Sequence, residues 1–202
     1  MYICMHSSRH TRPLSIVIVA LLLLAGCRSG SSQHPYSTAF TPPRRDTHTA
    51  QRRNAEGLQQ IEKGDYKKAE ESFRAALDAD LFYASAHNNL GLVLLKKSPY
   101  EAAWEFQFSA KLLPNAAEPR NNLGLVFEHV GNLDGAIAEY KKALKIDPNN
   151  VQVMGHLARA YVKSGEKSDD LRKLLKRLAF QNPGGTWDQW ARRQLLTLGA
   201  EK

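Results

Sequence analysis

The chain has 202 residues, 43% of them hydrophobic and 24% charged, which leaves room for one packed domain or one short array of repeats. Its formal net charge is +8, and without Arg9 and Arg12 near the start, 26 basic side chains face 20 acidic ones, too small an excess for a nucleic-acid footprint. Cys4 and Cys27 are the two cysteines, so a chain that loses the first has no internal disulfide and must stand on packing alone.

Arg9, His10 and Arg12 precede an uncharged run from Leu14 to Gly26. As a helix that run spans about 20 Å, short of the roughly 30 Å of a hydrocarbon core. Its length and positive flank fit a cleaved secretory signal over residues 1–26. The run ends Leu24-Ala25-Gly26-Cys27, which resembles the lipobox of bacterial lipoproteins. That resemblance implies cleavage before Cys27, acylation of Cys27 and anchoring to a membrane through the lipid. Arg28, rather than Asp, follows the Cys, which for proteobacterial lipoproteins implies the outer membrane, facing the periplasm. Residues 27–49 are rich in Ser, Thr, Pro, Gly, His and Gln and read as a tether with too little apolar surface to fold.

Internal repetition follows. The small residues Gly57, Gly91, Gly124 and Ala158 are spaced 34, 33 and 34 apart, as are the apparent hairpin breaks Gly64, Ser98, Gly131 and Gly165. Ala69, Ala103 and Ala136, then Ala76, Ala110 and Ala143, keep the same register, and Pro114, Pro148 and Pro183 close three units. The spacing predicts helical hairpins over 50–83, 84–116, 117–150 and 151–183.

This pattern resembles the tetratricopeptide repeat (TPR), best in the unit with Asn122, Leu123, Gly124, Phe127, Gly131, Ala136, Tyr140, Ala143 and Pro148. The resemblance implies an all-α solenoid of about four hairpins in which neighbours bury each other's open apolar faces. There are departures. Arg53, His87, Arg120 and Met154 stand where the family has a bulky aromatic, and Gln107 stands at an aromatic position in unit two. Glu56 and Gln60 in the first helix read as a loose or polar cap, and unit four has an extra residue before Leu171. Trp104, Phe108 and Leu112 form one helical stripe, expected to pack on the next unit, with an exposed convex contact as the alternative. Residues 184–202 read as a closing helix, with Thr186-Trp187-Asp188-Gln189 as a capping box and Trp187, Trp190, Ala191, Leu195 and Leu198 on its apolar stripe.

In the tetratricopeptide family the first helices of successive hairpins line a groove. The matching positions here are Leu58, Leu92, Leu125 and Arg159, then Ile61, Leu95, Glu128 and Val162 three residues on. Asn54, Asn88, Asn89, Asn121 and Asn122 lie beside them, amides that the resemblance places against a bound peptide backbone. The groove suits an extended peptide or an apolar-faced helix; the other reading is that these leucines and asparagines serve the array itself. Only Arg159 and Lys163 are cationic there, both late, which disfavours a terminal-carboxylate clamp.

The sequence has no metal pair at helical spacing, phosphate loop or nucleophile elbow, so no catalysis, metal or cofactor is expected. The reading is a lipid-anchored scaffold of the cell envelope that binds envelope proteins and no nucleic acid. Its layout is similar to that of the tetratricopeptide lipoproteins of pilus assembly, of Flp/Tad type or secretin pilotins. The alternatives are a docking platform for cell-wall hydrolases, or a structural protein touching lipid or peptidoglycan through Arg172, Lys173, Lys176, Arg177, Arg192 and Arg193. Self-association through the groove stays open.

Overall fold

Short caps and left-handed glycines cut this chain into helices of three to four turns. In the computed structural model, which describes residues 45–181 and 183–200, they are α1 (Thr47–Glu62), α2 (Tyr66–Ala79), α3 (Ala84–Leu94), α4 (Pro99–Leu112), α5 (Glu118–His129), α6 (Leu133–Ile146), α7 (Val151–Lys163), α8 (Asp169–Gln181) and α9 (Thr186–Ala200). Among the described residues there is no strand, and each helix packs on its successor, giving four hairpins and a ninth helix. Residues 42–202 form a compact unit of their own. The expected signal segment, Cys27 and the tether as far as residue 44 lie outside the described residues.

The first helix begins before the expected residue 50. Asp46 caps it by accepting from the Thr49 N–H at 3.1 Å, and Thr47 donates to the Asp80 carboxylate at 2.7 Å. Arg45 also pairs with buried Asp80, while the Asp46 N–H donates to the Ala79 carbonyl. The entering chain is thus tied to the end of α2, which explains why Thr47, His48 and Thr49 are helical instead of tether.

Within each hairpin a second-helix side chain lies against the smallest residue of the first. A Cβ added at Gly57, Gly91 or Gly124 would come within 3.0 Å of the rings of Phe73, Phe106 and Tyr140 respectively. The inward line of each second helix steps by four and then three: Ala69, Phe73, Ala76; Ala102, Phe106, Ser109; Ala136, Tyr140, Ala143; Leu171, Leu175, Leu178, all fully buried. Hairpin four keeps this line despite its extra residue and its missing alanines.

Hairpin two corrects the expected register. Gly64, Gly131 and Gly165 have φ near +78° and close α1, α5 and α7 with a six-to-one bond, such as the Asp65 N–H to the Gln60 carbonyl. No glycine follows α3; the Ser98 N–H returns to the Leu94 carbonyl and Pro99 opens α4 at once. Ser98 therefore matches the caps Asp65 and Asn132, not the glycines, and the hairpin is one residue shorter. The inward residues become Ala102, Phe106 and Ser109, whereas Ala103 is half-buried and Gln107 faces solvent. Phe106 is the aromatic that Gln107 seemed to lack.

The closing helix is also capped differently. Asp188, not Thr186 with Gln189, reaches back to the Gly184 N–H at 2.8 Å and holds Arg192. Trp187, Trp190, Ala191, Leu195 and Leu198 join the core shared by α6, α7 and α8. Trp187 lies so close to Gly155 that no Cβ fits there, and its indole N–H donates to Gln152 at 2.8 Å.

The register predicts that Phe106→Ala lowers unfolding free energy by about 3–5 kcal/mol while Gln107→Ala changes it by less than about 0.5 kcal/mol. Urea unfolding followed by circular dichroism measures both, and the opposite order would overturn the alignment.

Candidate functional site

The first helices α1, α3, α5 and α7 meet along one face of the array, and side chains three residues before each small residue decide how. Asn89 donates to Asn54 Oδ1 at 2.8 Å, Asn122 to Asn88 Oδ1 at 3.0 Å, and His156 Nδ1 lies 2.8 Å from Asn121 Oδ1. Each link runs from one hairpin to the equivalent position, or its neighbour, in the next. Asn88 also donates to Glu118 at 2.9 Å, and Asn121 to Asn122 at 3.4 Å. Asn54, Asn88 and Asn122 are buried. The amides that the repeat resemblance placed against a ligand backbone are therefore engaged in joining the repeats.

Leucines stand above this ladder. Leu58 and Leu92 are each 43% exposed, while Ile61, Leu95 and Leu125 are half-buried and packed on the core clusters. Across hairpins one to three a cavity of about 290 Å³ is bounded by Asn54, Leu58, Asn88, Asn89, Leu113 and Glu118, among others. It offers an apolar rim over a polar floor whose hydrogen bonds are already made.

The far half of the face is charged. Glu128 receives two bonds from Arg159 at 2.9 Å each, one from Lys163 at 2.8 Å and one from the Tyr140 hydroxyl at 3.0 Å. Burial would raise the Glu128 pKa, yet the bonds from Arg159 and Lys163 outweigh it and hold it at about 2. Burial, and then the Glu128 charge, raise the Tyr140 pKa. Tyr140 thus fills the hairpin beside Gly124 and lends its hydroxyl to the groove. Two cations to one carboxylate leave this end net positive, and the Arg159 guanidinium lies 5.8 Å from the Trp187 ring centre.

In place of the family's bulky aromatic, His87 and Arg120 pair with the buried carboxylates of Glu105 and Glu139, which the sequence reading did not find. His87 Nδ1 lies 2.6 Å from Glu105 and its Nε2 lies 2.8 Å from the Leu81 carbonyl. Arg120 reaches Glu139 at 3.4 Å, with Lys142 on the same carboxylate. Each acid sits one residue before the ring that meets the glycine, so the offset to Phe106 and Tyr140 was the available signal. Hairpins one and four have Ser72 and Leu174 at that position. Met154 is instead a buried apolar residue.

One further expectation changes. Trp104 does not pack on the next unit: it is 55% exposed and stacks on Phe108 at 5.3 Å, with Phe108 in turn 6.5 Å from Phe82. Glu56, read with Gln60 as a loose or polar cap, bonds Arg53 of its own helix at the exposed surface. Among the described residues no cluster of His, Cys, Asp and Glu is placed to hold a metal, and no helix is long and apolar enough to cross a membrane.

Repeat length, small-residue contacts and helix order now meet independent comparisons. Residues 54–107 match the family described as Tetratricopeptide repeat, and residues 130–165 the one described as TPR repeat. The array has the fold of a tetratricopeptide-repeat solenoid. The structure of MamA is similar to it at 24% identity with a TM-score of 0.62, over 67% of this chain and 80% of that one. YrrB, a TPR protein with an unusual peptide-binding site, is similar at 23% identity with a TM-score of 0.62, over 73% of this chain and 76% of its own. The BBSome complex member bbs-4 of Caenorhabditis elegans is 33% identical over 78 residues, which are 39% of this chain and 15% of that protein. The chain thus spans a small part of that relative's length. Tetratricopeptide arrays as a class offer extended surfaces that bind other proteins.

In this repeat array the His156 pKa is depressed to about 4 by burial first and by the Arg159 charge second. The unfolded value is 6.5, so this contribution to stability is whole above pH 6.5 and is lost as pH falls towards 4, by at most about 3 kcal/mol. His156→Gln is expected to flatten that part of the stability profile, measured by urea unfolding from pH 7 to 4. An unchanged profile would show that another group carries the loss.

Proposed function

We propose that this chain is a lipid-anchored adaptor of the bacterial cell envelope that holds a partner's apolar segment against Leu58 and Leu92. The observation that carries the reading is the open leucine pair beside the 290 Å³ cavity, set over amides already bonded to each other. A partner gains there by removing leucine surface from water, at about 25 cal/mol per Å². The net positive end at Arg159 and Lys163 favours a partner segment with an acidic residue following its apolar one. Membrane attachment through Cys27, an outer-membrane location and a part in pilus or secretion assembly belong to this proposal, supported by the Leu24-Ala25-Gly26-Cys27 motif and the repeat layout.

The reading in which the carboxyl-terminal end touches lipid or peptidoglycan is less favoured. Arg172 donates to the Leu198 carbonyl, Arg177 bonds Pro148 and Asn149, and Arg192 bonds Asp188. Much of that charge serves local structure.

Two measurements test it. In membranes of the native bacterium, the Leu58→Glu, Leu92→Glu double variant is expected to lose about tenfold or more of its specific co-purifying envelope proteins, a loss of roughly 1.4 kcal/mol, while keeping its helical spectrum. Unchanged recovery would remove the groove from consideration. Separately, Cys27→Ala should abolish palmitate labelling and release the protein from membranes; retained labelling would end the anchoring claim.

A further inference from the structure

We infer that the groove selects an extended partner segment with a basic residue on one side of its apolar residue and an acidic residue on the other. This rests on the groove reading above and adds to it the end at Glu118. Glu118 opens α5, is exposed, and lines the cavity of about 290 Å³ with Leu58; its carboxylate accepts from Asn88 at 2.9 Å. The other residues around that cavity are asparagine, serine, leucine, alanine and proline, so no cation lines it. Its place in the first turn of α5 suits the helix dipole and leaves a negative charge at the cavity.

The sign reverses along the same helix. Glu128 lies ten residues after Glu118, and there Arg159 and Lys163 outnumber it. Ten residues of α-helix separate the two ends by about 15 Å. Leu125 falls between them, at the repeat position that Leu58 and Leu92 hold in α1 and α3. An extended chain rises about 3.3 Å per residue and turns every second side chain to one face. Base, apolar residue and acid at alternate positions thus span about 13 Å, and a long basic side chain covers the remainder. A helix is about 10–12 Å across with its side chains, too wide to enter the cavity. Uniformly charged segments are rejected at one end or the other: an all-acidic one meets Glu118, and an all-basic one meets Arg159 and Lys163.

A displayed library of seven-residue peptides, with leucine fixed at the centre and the other positions random, tests this on the detergent-solubilised full chain. Selection is expected to enrich Lys or Arg two residues to one side of the leucine, and Asp or Glu two residues to the other. Glu118→Gln keeps an acceptor for Asn88 and should lower enrichment of the base about threefold while leaving the acid. Glu118→Lys should replace the selected base by a second acid, with the helical spectrum of both variants unchanged. Peptides that need Leu58 and Leu92 but carry no base opposite the acid overturn this inference and leave the groove reading standing. A base preference unmoved by Glu118→Lys does the same. If no peptide is enriched over the Leu58→Glu, Leu92→Glu variant, the inference and the groove reading both fall.

Discussion

The spacing between the two helices of a hairpin is fixed where a glycine backbone receives an aromatic ring. Phe73, Phe106 and Tyr140 each occupy the volume that a Cβ would need on Gly57, Gly91 and Gly124. Close-packed interiors tolerate little change of volume, so this contact sets helix separation and rotation together. Once the ring is seated, the residues four before and three after it point inward, and these are the alanines or Ser109 that let the next hairpin approach. Ser109 shows the consequence: buried by the register, its hydroxyl donates to the Ala84 carbonyl. The first helices then come close enough for short amides three residues ahead of the glycines to bridge from hairpin to hairpin.

The same contact explains how the array stops. Hairpin four has Ala158 in place of glycine and Leu171, Leu175 and Leu178 along its second helix, a bulkier line that leaves apolar surface for one more layer. The ninth helix supplies that layer. Gly155 stands where Asn88 and Asn121 stand in earlier repeats, and its missing side chain admits the Trp187 ring. His156 still bonds back to Asn121 and meets Trp187 edge to face on its other side. The amide ladder ends on an indole, which needs only one hydrogen bond and finds it at Gln152. At the opposite end, buried Asp80 gathers Thr47, Arg45 and the Phe82 N–H, so the first hairpin is closed by charge and hydrogen bonds.

The all-α class, the hairpin count and the closing helix could be read from the chain because small residues recur at fixed intervals, and a glycine in a helix interior is costly unless something lies close to it. The register of α4 could not be read that way. Ser98 falls at the interval of the glycines by coincidence, and only the absence of a left-handed residue after α3 marks the lost position. Helical periodicity also could not tell whether Trp104 faces a neighbouring repeat or water, because both leave the same stripe in sequence. The asparagines were visible, but their pairing was not: the bonds span 34 or 35 residues, and an amide suits a neighbouring amide as well as a ligand backbone. His87 and Arg120 stood out as departures, whereas Glu105 and Glu139, which neutralise them, became visible only with the corrected ring positions.

The bonded ladder bears on how such a groove discriminates. Amides already satisfied within the array gain little by exchanging one partner for another, and breaking a buried pair leaves an unmet group that costs about 1–3 kcal/mol. In the proposed groove, recognition would therefore rest on what stands above the ladder. In the first two hairpins that is the exposed pair Leu58 and Leu92, which on the proposed reading would select apolar volume with little preference for backbone direction. In the last two it is Arg159 and Lys163 around Glu128, a net positive end that on the proposed reading would select charge and orient a bound apolar segment. Tyr140 joins the two functions. Its ring sets the hairpin spacing against Gly124 and its hydroxyl holds Glu128, so the position of the charged end is coupled to the contact on which the repeat depends.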